Sequence, residues 1–302
     1  MTAPAVLLID SSLYAFRAWR AVPSARDARD RPVNAVRGFA VFLADLLGAH
    51  PDADHALCAF DEHRGGGVRR ELFPDYKAGR PPVDPDLLDQ IPRCREVAAA
   101  LGVPVRSSPR VEADDLIGQA AALARGAGRS VRIVTGDKDL SQYVRDGDLV
   151  HDVGRHRALD RTGVRKRFGV EPWQIPDLLA LAGDESDGIP GVPGVGAPTA
   201  ARLLKKWGDL DALFANAPAV ARMGFRGAPR VATLLPEHEA AVRLSRRLTG
   251  PIPEPDALEG LDELRRGTPA ADVAAARLIE AGVDAGEADA LARRAAPRRE
   301  PR

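Results

Sequence analysis

The chain has 302 residues, 45% of them hydrophobic and 28% charged, enough for one large domain or two modest ones around a well-buried core. Its 43 basic and 43 acidic residues cancel, which by total charge alone argues against a nucleic-acid partner, and its two cysteines, Cys58 and Cys94, exclude a disulfide framework or a structural zinc site. No window approaches the roughly 20 apolar residues of a membrane span, and "MTAPAVLLIDSS" lacks a basic lead-in, so a soluble cytoplasmic protein without signal peptide or membrane contact is expected.

In chain order, "AVLLID" ends at Asp10, "ALCAF" stops before Asp61 and "SVRIVTGD" ends at Asp137; each apolar, β-branched run predicts a buried strand of a parallel sheet. Between the strands, "VRGFAVFLADLLGAH", "DLLDQIPRCREVAAALG" and "DDLIGQAAALARGAG" carry helical periodicity and close near Gly or His. The alternation predicts an α/β fold, a mostly parallel central sheet flanked by helices, with ligands at the carboxyl ends of the strands. Residues 62–86, "EHRGGGVRRELFPDYKAGRPPVDPD", are too long, basic and rich in Gly and Pro for a plain connection, and predict a flexible functional loop. From about residue 170 the strands stop and the chain reads as helical, with the last dozen residues disordered. Arginines gather at 64–80, at 155–167 and in the tail "ARRAAPRREPR", where a solvated charged face is the simplest reading.

Nine acids mark the strand ends and their neighbours: Asp10; Asp61; Glu112, Asp114 and Asp115 in "VEADD"; Asp137 and Asp139 in "TGDKD"; Asp184 and Asp187 in "GDESD". Residues i and i+2 of an extended chain point the same way, which suits 137 and 139; a spacing of three on a helical turn puts 184 and 187 on one face. Singly, each acid has a plain use as a helix cap or a surface turn. Gathered at one sheet edge they repel, by roughly 4 kcal/mol for a pair about 4 Å apart at an effective dielectric near 20. Divalent cations resolve that conflict, and an all-oxygen donor set without His or Cys selects Mg²⁺ or Mn²⁺ over zinc. The set is large enough for two ions, the arrangement that supports attack of water on a phosphodiester.

With these residues in view, the sequence resembles the 5′ nuclease family, which includes flap endonucleases and the 5′→3′ exonuclease domain of bacterial DNA polymerase I. The matching segments are "LLIDSSLYAFRA", "CAFDEH", "FPDYKAGRP", "VEADDLIG", "TGDKDLSQYV" and "GDESDGIPGVPGVGAPTA", in the family's order over roughly residues 5–250. The resemblance implies a PIN-like nuclease core over 1–172 with an arch at about 62–90, a helix-hairpin-helix DNA-binding region over 173–265, and a C-terminal helical segment with a disordered basic tail over 266–302. It implies that Asp10, Asp61, Glu112 and Asp114 serve one metal position and Asp137, Asp139 and Asp187 a second, with Asp114 shared. Asp115 and Asp184 match additional acids of the bacterial members.

Lys77 and Arg80 match the basic residues of the family's arch, where a cation can meet the scissile phosphate; with Asp114 they form the implied catalytic group. Phe16 matches a position where an aromatic stacks on a base, with core packing the alternative, and Tyr76 is open to the same two readings. "GIPGVPGVGAPTAARLL" resembles the helix-hairpin-helix element, implying backbone phosphate contacts through Gly191, Val192, Gly194, Gly196 and Thr199, a K⁺ ion at the hairpin, and further contacts from Lys205 and Lys206. Two residues depart from the pattern: Pro198 stands where relatives commonly carry Lys, and Gly188 where Asn is common. The implied activity is a two-metal, structure-selective 5′–3′ exonuclease and 5′-flap endonuclease of replication and repair. It would act as a stand-alone monomer at the nucleoid on 5′ flaps, nicks and free 5′ ends, alongside DNA polymerase I and ligase. A PIN-type RNA nuclease, which would lack the hairpin, and a non-catalytic DNA-structure-binding protein, which would lose acids, are the alternatives.

Overall fold

Every residue of "VLLID" is buried, so this strand must be covered on both faces, and the rest of the fold supplies the cover. The computed structural model describes residues 4–62, 67–254 and 257–297. Among these residues the strands are β1 (Val6–Asp10), β2 (Ala56–Ala59), β3 (Val105–Arg106), β4 (Val131–Val134), β5 (Leu149–Asp152) and β6 (Arg157–Leu159). Interleaved with them are α1 (Ser11–Ala21), α2 (Asn34–Ala49), α3 (Val68–Leu72), α4 (Pro85–Ala100), α5 (Ala113–Gly126) and α6 (Arg161–Phe168). Helices alone follow: α7 (Ile175–Ala182), α8 (Ala197–Trp207), α9 (Leu210–Ala215), α10 (Ala228–Thr249), α11 (Ala271–Ala281) and α12 (Ala285–Ala295).

The sheet order is β3-β2-β1-β4-β5-β6, parallel except for the antiparallel edge pair β5–β6. Leu8 aligns with Leu57 on one side and Ile133 on the other. Alternation sends Val6 and Leu8 into a core shared with α5, α7 and α8, and Leu7 and Ile9 into a second core with α2, α4, α11 and α12. The order reverses between β1 and β4, so the carboxyl ends of these neighbours open a crevice at Asp10 and Thr135.

The α/β class and the three expected strands and helices are present. Two local expectations are corrected. The span 62–86 is not a plain flexible loop: α3 and a run of turns at 74–79 follow its first residues, and residues 63–66 lie outside the described residues. The last dozen residues are not disordered throughout, because α12 continues to Ala295 and buries Leu291, Ala292 and Ala295 in the second core. Apolar burial at every third or fourth position outweighs the tail's basic composition.

Candidate active site

Asp10 ends β1 and caps α1, accepting from the Leu13 amide at 3.3 Å. Its other oxygen accepts from the Thr135 hydroxyl at 2.8 Å, which ties the carboxyl ends of β1 and β4 together. Burial, then the charges of Asp61 and Asp137, push the Asp10 carboxyl up to about 7. Asp61 follows β2 and accepts from the Ala113 amide at 2.9 Å, so it grips the start of α5. Glu112 and Asp114 enter from that helix start. Burial and the charges of Asp137, Asp10 and Glu112 hold Asp114 well above the ordinary carboxylate range.

Asp137 and Asp139 lie on the turn after β4, where Asp137 Oδ1 accepts the Asp139 amide at 2.9 Å. Burial and the neighbouring Asp137 push Asp139 up to about 8, and its buried Oδ1 has no hydrogen-bond partner. The Lys138 Nζ between them crosses to Asp184 Oδ2 at 2.7 Å. Asp184 also accepts from the Ser186 hydroxyl at 2.7 Å and opens the turn that carries Asp187. Burial raises Asp184, but the bonds from Lys138 and Ser186 outweigh it and leave the carboxyl below its usual range.

The segment after α3 closes over this group. Lys77 Nζ lies 2.6 Å from Glu112 Oε1 and 3.9 Å from Asp187, and Arg80 Nη2 lies 2.6 Å from Asp187 Oδ1. The Tyr76 hydroxyl stands 3.2 Å from both Glu112 and Asp187, and its single proton serves one carboxylate at a time. Burial alone would raise Glu112; Lys77 and Arg69 outweigh it and hold the carboxyl low. The Lys77 amide donates to Asp187 O at 3.1 Å, so backbone as well as side chains join this segment to the turn at 185–187.

Three assignments change. Asp115 is engaged by other partners: Arg69 grips both its oxygens, the second at 2.9 Å, and the amides of Glu112 and Ile252 donate to them at 3.1 and 2.8 Å. A buried carboxylate with its lone pairs so engaged braces α5, which favours a structural role for Asp115. Tyr76 is 4% exposed beneath Lys77, so its ring cannot stack on a base; its role is to position carboxylates. Val192 belongs to the first core, and its amide donates to Leu181 O at 2.8 Å, leaving neither group for phosphate.

The remaining contacts are placed as follows. Phe16 is 41% exposed, with the Arg20 guanidinium 5.1 Å from its ring centre, which favours stacking over core packing. In the hairpin between α7 and α8, Gly191 is buried at φ +64°, and a Cβ there would lie 2.4 Å from the Gly183 nitrogen. Gly194 and Gly196 are exposed, and the half-buried Thr199 donates its amide to Gly196 O in the first turn of α8. Gly188 holds φ +74°, a left-handed cap open to Gly or Asn, so its departure leaves the turn intact. Pro198 sits in the first turn of α8, where a missing amide proton breaks no helix bond. Lys205 and Lys206 are exposed on the same helix.

Among the described residues, no three of these acids stand close enough to hold a metal ion as the side chains are placed. Lys77, Arg80 and Lys138 pair instead with Glu112, Asp187 and Asp184. The chemistry nonetheless fits hard cations, because the donors are all oxygen, Asp139 Oδ1 is buried without a partner, and burial with neighbouring carboxylates makes ionisation of Asp10, Asp114 and Asp139 costly, a cost that a bound cation would offset. Thr135, Lys138 and Arg69 are the site residues that sequence reading missed. Lys138 had a signal in its place between two acids of "TGDKD"; Thr135 and Arg69 had none.

Comparison with known proteins agrees with this geometry. The family model of the 5′–3′ exonuclease N-terminal, resolvase-like domain matches residues 5–169, and that of the 5′–3′ exonuclease C-terminal SAM fold matches residues 170–270. The chain is 39% identical to DNA polymerase I of Pseudomonas aeruginosa over 272 residues, 89% of this chain and 29% of the polymerase. It is 38% identical to thermostable DNA polymerase I of Thermus aquaticus over 212 residues, 70% of this chain and 25% of that protein. It therefore spans under a third of either relative's length. In fold it resembles T5 5′-exonuclease with bound divalent metal ions (zinc), with a TM-score of 0.67 and 17% identity over 97% of this chain and 98% of that one. It also resembles the catalytic core of Rad2 in complex with DNA substrate, with a TM-score of 0.62 and 17% identity over 95% and 91% of the two chains.

Proposed function

The chain belongs to the 5′–3′ exonuclease family, and from that premise we propose that it is a structure-selective 5′–3′ exonuclease and 5′-flap endonuclease of DNA replication and repair. The observation that carries this reading is the meeting of both components at one crevice: acids from five separate segments, and the cations Lys77 and Arg80 directly over Glu112 and Asp187. Asp10, Asp61, Glu112 and Asp114 would hold one divalent ion and Asp137, Asp139, Asp184 and Asp187 a second, Mg²⁺ or Mn²⁺, with Asp114 shared. Such ions, when bound, lower the pKa of water and offset charge on a phosphodiester.

The chain's own groups supply the rest. Lys77 and Arg80, released from their carboxylates, bind the non-bridging oxygens of the scissile phosphate and fix its orientation. Tyr76 keeps Glu112 and Asp187 in register while the cations exchange partners. The exposed hairpin glycines, Gly194 and Gly196, and the first turn of α8 receive a phosphate of the duplex, and a K⁺ ion at the hairpin carbonyls would complete that contact. Selection rests on phosphate contacts and DNA shape, with Phe16 stacking on a terminal base. The substrates are DNA with 5′ flaps, nicks or free 5′ ends, met by a monomer at the nucleoid beside DNA polymerase I and ligase. The working division is a nuclease core over 1–172, a hairpin region over 173–265, and a C-terminal segment over 266–302.

Replacing Asp114 with Ala and assaying a 5′-labelled flap duplex in Mg²⁺ tests the proposal. Loss of cleavage with retained binding in Ca²⁺ is expected; cleavage at the wild-type rate would overturn it.

A further inference from the structure

The basic stretch at 155–167 is used by neither the acid cluster nor the hairpin, yet it borders the active site. Arg155, Arg157 and Arg167 line a cleft together with Thr135, Gly136 and Asp137, so the cleft includes one of the acids proposed to hold metal. Its floor is fixed. Arg17 grips Asp152 through two bonds of 2.7 and 3.3 Å and lies 5.2 Å from the Tyr14 ring centre. Gly136 leaves room for it, because a Cβ there would fall 1.9 Å from the Arg17 guanidinium and push that side chain aside. Arg17 thereby neutralises Asp152, which is left with little charge to offset the rim.

The bookkeeping of charge along the rim is one-sided. From Val153 to Arg167 the basic residues are Arg155, Arg157, Arg161, Arg165, Lys166 and Arg167, against Asp160 alone, whose carboxylate caps α6 at the Gly163 amide, 2.7 Å away. Arg161 and Arg165 are taken by Glu171, each at 2.9 Å. Arg155 has only a 3.8 Å approach to Asp152, already held by Arg17. Among the described residues, Arg157, Lys166 and Arg167 form no ion pair, and all three are exposed. Like charges so grouped repel, and an anion lying across them relieves the repulsion. The rim also has a direction: α6 ends at Gly169, whose added Cβ would touch Ala201 of α8 at 3.2 Å, one turn before Lys205.

We infer that this rim is a second phosphodiester track, gripping the sugar-phosphate backbone of the DNA strand that runs between α8 and the metal acids. The inference rests on the nuclease reading and adds a binding surface to it. Continuity favours DNA over an acidic protein, since one end of the track adjoins α8 and the other opens on Asp137, where a protein partner would cover the cutting site. Guanidinium and ammonium heads on an exposed rim read backbone charge, so the grip is independent of sequence.

The test is the triple variant Arg157→Gln, Lys166→Gln, Arg167→Gln, whose residues lie outside the catalytic group and make no folded-state ion pairs. Binding of a fluorescent 5′-flap duplex in Ca²⁺ is followed across a monovalent-salt series, with a thermal melt confirming the fold. The slope of log K against log salt should fall by about 3, about one per lost contact, and affinity by about tenfold or more, equally for flaps of different sequence. Wild-type binding and cleavage with an unchanged slope in the variant would overturn the track alone. A wild-type chain that neither binds nor cuts the flap would instead overturn the nuclease reading, and the track with it.

Discussion

Lys77 Nζ sits 2.6 Å from Glu112 Oε1, on a backbone held at φ +56°, so the cation proposed to meet the phosphate is paired with a carboxylate proposed to hold the metal. The two functions of Lys77 therefore oppose each other: it competes with the divalent ion for Glu112, yet it is needed on the phosphate. Lys77→Ala should tighten divalent-ion binding to the free protein, measured by calorimetry, while lowering the single-turnover cleavage rate by about 10²-fold or more. A variant that loses both metal affinity and rate would show that Lys77 supports the ligand set and does not compete with it.

Asp115 separates structural from ligand roles among the acids. Its partner Arg69 is buried, and also donates to Leu248 O at 2.7 Å and Gly250 O at 3.1 Å, so it fastens α5 and α3 to the end of α10. Asp115→Ala removes the bidentate partner of that buried guanidinium and leaves it only Glu112 at 3.5 Å, and stability should fall by up to roughly 3–5 kcal/mol. A urea melt of the metal-free protein reads this directly, and Mg²⁺ affinity of the folded fraction should stay near wild type. Lost metal affinity with an unchanged melt would return Asp115 to the ligand set.

How far the sequence could be read follows from these residues. The strand ends at Asp10, Asp61 and Asp137 were legible because a buried parallel strand must be apolar throughout and its acid terminus stands out. A site at the carboxyl ends of the strands followed from strand and helix alternation, whereas its place between β1 and β4 needed the sheet order. Asp115 misled because spacing alone does not say which way a helix-start acid turns, and the deciding partner, Arg69, lies 46 residues away in sequence. Tyr76 and Val192 failed for a related reason: their segments match a DNA-facing motif, while burial removes the side chain or amide from solvent. The edge pair β5–β6 had no apolar run to announce it, since β6 is largely exposed.

The acid cluster makes metal-free stability fall as pH rises. Burial, then Asp61, raises Asp10 to about 7; burial, then Asp137, raises Asp139 to about 8. A carboxyl whose folded pKa exceeds its unfolded value near 4 stabilises fully below that value and loses the contribution as pH climbs through the folded pKa. Carboxylates elsewhere act oppositely: burial pushes Asp54 up, but Arg129 and His55 draw it down to about 2, so its contribution is lost only in acid. The difference in Tm between Mg²⁺ and EDTA isolates the site, because only the cluster should bind the ion. That difference should grow steadily between about pH 5 and 8 as protons leave the ligands. A gain independent of pH would mean that the raised carboxyls are not ligands.

Pro198 offers a gain-of-contact experiment. It occupies the exposed first turn of α8 directly after the hairpin, where relatives commonly carry Lys. Proline fits that position by preset φ and a dispensable amide, so its removal should change stability little. A lysine there meets the positive end of the helix dipole, an unfavourable contact of about 0.3–1 kcal/mol that a bound phosphate reverses. Pro198→Lys should therefore lower Tm slightly in the free protein and tighten flap-duplex binding. The salt slope should steepen by about one, the signature of a single added phosphate contact. An unchanged slope with a lowered Tm would mean that no phosphate passes this turn, and the hairpin's place in the DNA path would have to be redrawn.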